Sequence, residues 1–136
     1  MILIVGCGRL GASFALRVVE SGQEVTILDM DRHNMLTYLP KEFKGRTIVG
    51  TEIDTEVLRQ AGIEEAEVAV IVSRDENTNM MVADVARNIF SHPRVIVRID
   101  HPRLRQLYEE AGFEVLSPTM EATISLERRI AQLRQS

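Results

Sequence analysis

Met1-Ile2-Leu3-Ile4-Val5-Gly6-Cys7-Gly8-Arg9-Leu10-Gly11-Ala12-Ser13-Phe14-Ala15 opens the chain, and its reading decides the fold. Ile2–Val5 is a short aliphatic run of the kind that forms a strand buried on both faces. Leu10, Phe14 and Val18, with Ala15 and Val19, recur at the spacing of one helical face, and Gly22 stands where a glycine ends a helix. Between strand and helix lies Gly6-Cys7-Gly8-Arg9-Leu10-Gly11, which fits G-x-G-x-x-G. In that context the first glycine permits the tight turn, the second lets a pyrophosphate approach the backbone, and the third allows close packing of helix on strand. The unpaired N–H groups and positive dipole end of the helix favour an anionic phosphate.

Further along, the same alternation repeats. Glu24–Leu28, Arg46–Val49, Val68–Val72, Arg94–Arg98 and Glu114–Leu116 read as five more strands. Helices are expected from about Arg32 to Leu39 before Pro40, from an Asp54 cap through Gln60 to Gly62, and after Asp75 to near Ser91-His92-Pro93. Two more should span Pro102–Ala111 before Gly112 and the segment opened by Ser117-Pro118. Right-handed crossovers then give a doubly wound, Rossmann-like α/β fold, a parallel six-stranded sheet of order 3-2-1-4-5-6. Residues 1–118 are expected to form this domain and 119–136 a separate crossover helix. Ile124, Leu126, Ile130 and Leu133 give that helix an apolar stripe, which packs either on a partner or on its own sheet.

Asp29, about 20 residues beyond the loop at the end of the second strand, is where an acid in this fold accepts ribose hydroxyls and repels a 2′-phosphate. The competing role is structural, with Asp29 or Asp31 capping the helix that begins near Arg32. Arg9 has a planar fork suited to phosphate but is equally suited to plain solvation. The fingerprint is therefore that of an NAD(H) or adenine-nucleotide site.

Composition narrows the alternatives. The chain has 136 residues, enough for one domain but not two. Aromatic residues are only 4%, and 16 basic residues stand against 20 acidic, which disfavours a nucleic-acid partner. The resulting charge of −4 makes the chain mildly acidic. Apolar runs of five residues fall far short of the ~20 that span a bilayer, so no direct membrane insertion is expected. A lone Cys7 and no basic segment before the first apolar run point to a reducing cytosol without a targeting signal. Cys7 reads as a small residue in a tight turn, although a helix N-terminus can also activate a thiol. His33, His92 and His101 lack metal-ligand spacing and read as surface or turn residues. No metal site and no catalytic residue are expected. The alternative, a fragment of an NAD-dependent oxidoreductase, needs a substrate region and a positioned acid or base, and six strands use the residues that would build them.

Several stretches are more specific than the glycine loop. They are Leu28-Asp29-Met30-Asp31, Leu58-Arg59-Gln60-Ala61-Gly62-Ile63-Glu64-Glu65-Ala66, Asp75-Glu76 with Asn79-Met80-Met81-Val82-Ala83, Val97-Arg98-Ile99, and Ala111-Gly112 with Ser117-Pro118. Through them the chain resembles the TrkA-N, KTN or RCK nucleotide-binding domain of potassium-transport regulators. The resemblance implies a cytoplasmic regulatory subunit at the inner face of the membrane, docked on a potassium channel or transporter. It implies a homodimer, extending to a tetrameric or octameric ring, whose conformation responds to bound NAD(H) or ATP/ADP. On the matching positions it implies a phosphate loop of Gly6, Gly8, Arg9, Leu10 and Gly11, and a ribose-binding Asp29 flanked by Met30, Asp31 and Arg32. Ser73 and Arg98, at strand ends, would stand near the nucleotide, with Asp75 and Asn79 beside Ser73. The pattern departs in three places. Thr51 replaces an acid that faces adenine, which shifts that role to backbone groups and Glu52. The Asp75-to-Asn79 segment is one residue longer than the common form, so either Asn77 or Asn79 fills the asparagine position. Thr119 replaces a metal-reaching glutamate, which argues against a magnesium-bridged ATP. The family usually continues into a smaller ligand-binding domain, which these residues do not include.

Overall fold

The computed structural model describes residues 1–136. In chain order the elements are β1 (Ile2–Val5), α1 (Arg9–Glu20), β2 (Val25–Asp29), α2 (Arg32–Tyr38), β3 (Arg46–Val49), α3 (Thr55–Gln60), β4 (Val68–Ile71), α4 (Glu76–Asn88), β5 (Val95–Arg98), α5 (Pro102–Glu110), β6 (Glu114–Leu116) and α6 (Pro118–Gln135). All strand pairs are parallel, in the order β3-β2-β1-β4-β5-β6, as the alternation predicts.

Because successive side chains on a strand point to opposite faces, each central strand feeds two cores. Leu3 and Val5 of β1, Leu28 of β2 and Ile71 of β4 face α3 and α4, where Leu58, Val82, Ala83 and Ala86 cover them. Ile4, Ile27 and Val70 face the other way, against Ala12, Ala15 and Val18 of α1 and Met35 of α2. The register sets Ile4 opposite both Ile27 and Val70, so the second core is continuous across three strands. Burying such aliphatic side chains stabilises by about 1.5–3 kcal/mol each.

Helix ends follow the sequence signals closely. Asp31, Asp54, Asp75 and Ser117 cap α2, α3, α4 and α6 by accepting first-turn backbone N–H groups. Helix α3 closes at Gly62 (φ +90), with Gly62 N–H bonded to Arg59 O and Ile63 N–H to Leu58 O. Four strand ends, on three strands, differ by one residue. β2 begins at Val25 and extends to Asp29, which is paired opposite Val49; β4 stops at Ile71; β5 begins at Val95. Helix α4 ends at Asn88, earlier than the proline suggests, because Ser91 takes a left-handed conformation (φ +51) and turns the chain there.

Two expectations need correction or resolution. His92 is a turn residue but not a surface one. It is buried, with Nε2 2.8 Å from Ala66 O and Nδ1 accepting from Arg94 N–H, so the ring ties the loop before β5 to the loop before β4. The stripe on α6 does not pack on the sheet of its own chain: α6 has no buried residue, and Ile124, Leu126, Ile130 and Leu133 are all exposed. No helix is long and apolar enough to cross a membrane.

Candidate nucleotide site at the carboxyl ends of the strands

The three loop glycines do different work. Gly6 has φ +111, and a Cβ there would stand 2.5 Å from Ser73 N; a Cβ on Gly11 would stand 1.9 Å from Gly6 O. Both are demanded by the packing of α1 and β4 against the turn. Gly8 is not. Its backbone is extended (φ −101, ψ −160), a region open to any residue, and a Cβ would meet only the Arg74 side chain, at 3.8 Å. Nothing in the protein itself requires a glycine at position 8, so the space it leaves is free for a ligand. Gly8 is also the N-cap of α1, where no side chain caps the helix and no acid lies in the first turn. α2, α3, α4 and α6 are all capped by their own chain; the start of α1 is left open to an outside acceptor.

Asp29 lies beneath this opening, 5% exposed. Its Oδ2 accepts from Cys7 N–H at 2.8 Å, and its Oδ1 accepts from Asp31 N–H at 2.8 Å and from Asn34 Nδ2 at 3.1 Å. A carboxylate offers about four acceptor positions, so one is left for a hydroxyl. The capping role belongs to Asp31, whose Oδ1 accepts from His33 N–H. Asp29 therefore ties the glycine loop to the β2–α2 turn and still faces the cleft. Glu52, also buried, accepts from Met30 N–H at 3.3 Å. Burial pushes its carboxyl above the ordinary range; hydrogen bonds from its own N–H and that of Met30 oppose this, and the charges of Asp29 and Asp75 add to it.

Across the cleft, Ser73 and Asn79 hold the ends of β4 and β5 together. Asn79, fully buried, accepts from Ser73 N–H at 3.0 Å and donates through Nδ2 to Ser73 O at 2.8 Å and to Arg98 O at 3.1 Å. The Ser73 hydroxyl lies 2.6 Å from Asn79 Oδ1. Of the two asparagines, Asn79 is the buried one that braces Ser73 and Arg98, whereas Asn77 is exposed and offers only its N–H to Asp75.

The cleft so formed has a volume of about 220 Å³, and Gly8, Asp29, Met30, Asp31, Glu52, Ser73 and Asp75 of the expected residues line it. Gly6, Gly11 and Asn79 support it from beneath without lining it. Arg9 and Leu10 face a separate groove against Tyr38, and Arg32, Thr51 and Arg98 stand outside the lining. Sequence reasoning missed three lining residues, Asn34, Arg74 and Thr78. The available signal for Arg74 was its place between Ser73 and Asp75. A larger concavity, about 590 Å³, opens at the opposite end of the sheet around Gln23, Lys44 and Gly62. Parallel sheets bind ligands at the carboxyl ends of their strands, and the capping and glycine geometry is there too.

Cys7 is buried in the loop, and burial, with the nearby Asp29 charge, pushes its thiol up to about 11, which removes the activated-thiol alternative. Beyond the cleft, Asp100 was not foreseen. Its Oδ1 accepts from Ser117 Oγ at 2.8 Å and Thr119 N–H at 2.9 Å, while its own N–H and that of His101 bond to Glu76 Oε1. Burial alone would raise the Asp100 carboxyl, but the hydrogen bonds from Thr119 and Ser117 and the charge of Arg98 outweigh it and hold it below the ordinary range. The start of α4, the end of β5 and the start of α6 are thus one hydrogen-bonded run. No group of three or more His, Cys, Asp or Glu is arranged to hold a metal ion.

Known proteins share both the sequence and this architecture. The Trk system potassium uptake protein TrkA of Streptomyces coelicolor is 34% identical over 129 residues, covering 95% of this chain and 57% of that protein. The chain thus spans little more than half of that relative's length. The GsuK channel solved with bound NAD superposes with a TM-score of 0.70 at 25% identity, over 85% of this chain and 20% of that one. The Kef carboxyl-terminal domain of Shewanella denitrificans in its AMP-bound form superposes at 0.82 with 18% identity, over 99% of this chain and 82% of that one, a likeness of fold. The TrkA-N domain family model matches residues 2–118, the stretch from β1 to the first residue of α6 that holds every element of the cleft, and the chain belongs to that family.

Proposed function

We propose that this chain is a regulatory domain that binds an adenine nucleotide, NAD(H) or ATP/ADP, and passes the bound state to a membrane potassium channel or transporter. The observation that carries the reading is Gly8: a glycine that the protein's own packing does not need, at an uncapped helix start that lies beside Asp29. Phosphates would sit on the N–H groups that open α1, and the free acceptor position of Asp29 would take a ribose hydroxyl. The NAD-bound GsuK channel and the potassium-uptake relative support both halves of the proposal.

Residues 1–118 act as the nucleotide domain and 119–136 as an assembly helix. Leu126, Ile130 and Leu133 recur at i, i+4, i+7 and are exposed, so a second copy of the chain is the natural cover for them, in a homodimer or a larger ring. The run from Ser73–Asp75 through Glu76 and Asp100 to Ser117 links the cleft to that helix, so a nucleotide that favours one arrangement of the run would bias the assembly. The role is regulatory and not catalytic, and the domain works at the cytoplasmic face of its partner. Calorimetric titration with NADH and with ADP is expected to give one site per chain. Absence of heat with both, for a folded protein, would overturn the proposal.

A further inference from the structure

Charge in the cleft is lopsided. Asp29, Asp31, Glu52 and Asp75 line it, and the only cation in the lining is Arg74. Like charges 4 Å apart repel by about 4 kcal/mol at the effective dielectric of a protein surface, so each added phosphate should weaken a ligand here unless a cation answers it. The Arg74 stem lies along the open side of Gly8, where its Cγ and Nε would be 3.8 Å from a Cβ at that position. The guanidinium rests 6.0 Å from the centroid of the Tyr38 ring, at the outer limit of a cation–π contact. It is exposed and forms no ion pair with any carboxylate of the chain.

From this we infer that Arg74 is the phosphate-reading residue of the site: it leaves Tyr38 when a polyphosphate enters and closes over the phosphates held at Gly8. The inference rests on the nucleotide reading above and adds a specificity to it. Affinity is set by the number of phosphates through one mobile side chain in the β4–α4 turn, not through Arg9. Arginine suits the task because its planar fork donates two parallel hydrogen bonds to phosphate, and a lysine keeps only the charge.

The test is a titration series of adenosine, AMP, ADP and ATP against the 136-residue protein and its Arg74→Gln and Arg74→Lys variants, with thermal melts of the unliganded proteins as a folding control. The wild type should bind ADP more tightly than AMP. Arg74→Gln should lose about tenfold or more for ADP while adenosine is unchanged, which flattens the series. Arg74→Lys should fall between them, and raised salt should narrow the gap between wild type and Arg74→Gln. An Arg74→Gln series parallel to the wild type, a uniform loss that includes adenosine, or tighter binding on removal of the arginine would each overturn the assignment while leaving nucleotide binding intact. Failure of the wild type to bind any of the four would instead overturn the nucleotide reading, and this assignment with it.

Discussion

Replacing Gly8 and Gly11 separately by alanine should split ligand binding from folding. At position 8 the new methyl meets only the flexible Arg74 stem at 3.8 Å, and the extended backbone accepts it. Alanine is a poorer N-cap than glycine by up to about 1 kcal/mol, and the stiffer unfolded chain returns about 0.4–1 kcal/mol. The net change in stability is within about 1 kcal/mol. At position 11 the methyl falls 1.9 Å from Gly6 O, and 3.5 Å from Ile4 Cγ2, so α1 must lift off β1. Overpacking of this kind costs typically about 1–3 kcal/mol, and contact with backbone puts this case at or above the upper end. Binding should respond in the opposite sense. A phosphate oxygen must come within about 2.9 Å of the loop N–H groups, and a methyl at position 8 stands in that path. Loss of two charge-assisted hydrogen bonds at about 1.5 kcal/mol each amounts to about 3 kcal/mol, on the order of a hundredfold in Kd. Urea unfolding gives the first quantity and calorimetry with ADP the second. Gly8→Ala binding ADP within about threefold of the wild type, or unfolding as readily as Gly11→Ala, would refute the reasoning.

Four other predictions follow the same geometry. Asp29→Ala removes the acceptor of Cys7 N–H, Asp31 N–H and Asn34 Nδ2, so it should cost at least about 2 kcal/mol in a denaturation experiment as well as weaken binding; unchanged stability would show that Asp29 does not brace the loop. Glu52 has a carboxyl raised in the folded state, so ionisation there opposes folding and its penalty grows as pH rises through the folded value. Glu52→Gln should therefore raise the Tm at pH 7, with the gain fading as pH falls toward the ordinary glutamate range; an equal gain at all pH values would point to packing instead. Cys7, buried and with its thiol pushed up to about 11, should resist iodoacetamide at pH 7.5 in the native protein and react after unfolding, as mass spectrometry would show; rapid native alkylation would contradict its placement. Replacing Leu126, Ile130 and Leu133 by serine should abolish the dimer in sedimentation without lowering the Tm of the monomer, because none of the three packs on the sheet of its own chain; a wild-type monomer at high concentration would count against the assembly role.

The fold was legible because its signals are local. Five-residue aliphatic runs such as Val68–Val72 bury themselves on both faces of a parallel sheet, and Asp54, Gly62 and Ser117-Pro118 mark helix ends by chemistry that acts within one turn of the chain. The candidate site was legible where the motif answers to backbone packing, at Gly6 and Gly11, where it leaves open space, at Gly8, and where strand order brings an acid to a strand end, at Asp29. It was not legible where a side chain's direction depends on remote partners. Arg9 and Arg74 are both arginines next to the loop, but position 9 starts α1 on its outer side toward Tyr38, whereas the turn after β4 lays Arg74 across Gly8. His92 was read as a surface or turn residue, and its burial was not legible, because its partner Ala66 O comes from a loop brought alongside by the β4–β5 pairing. Asp100 carries no motif at all, and its importance comes from where β5 ends relative to the start of α6.

The central claim is that an adenine nucleotide occupies the cleft at the carboxyl ends of β1, β2 and β4. Backbone amide chemical-shift mapping of the labelled protein during titration with ADP tests it most directly, because Gly8, Arg9, Leu10 and Gly11 report the loop and Gln23, Lys44 and Gly62 report the larger concavity at the other end of the sheet. The account predicts saturable shifts at Gly8 to Gly11, Asp31 and Ser73 to Asp75, with none around Lys44. Shifts confined to Gln23, Lys44 and Gly62, or no shifts at millimolar ADP and NADH, would contradict it.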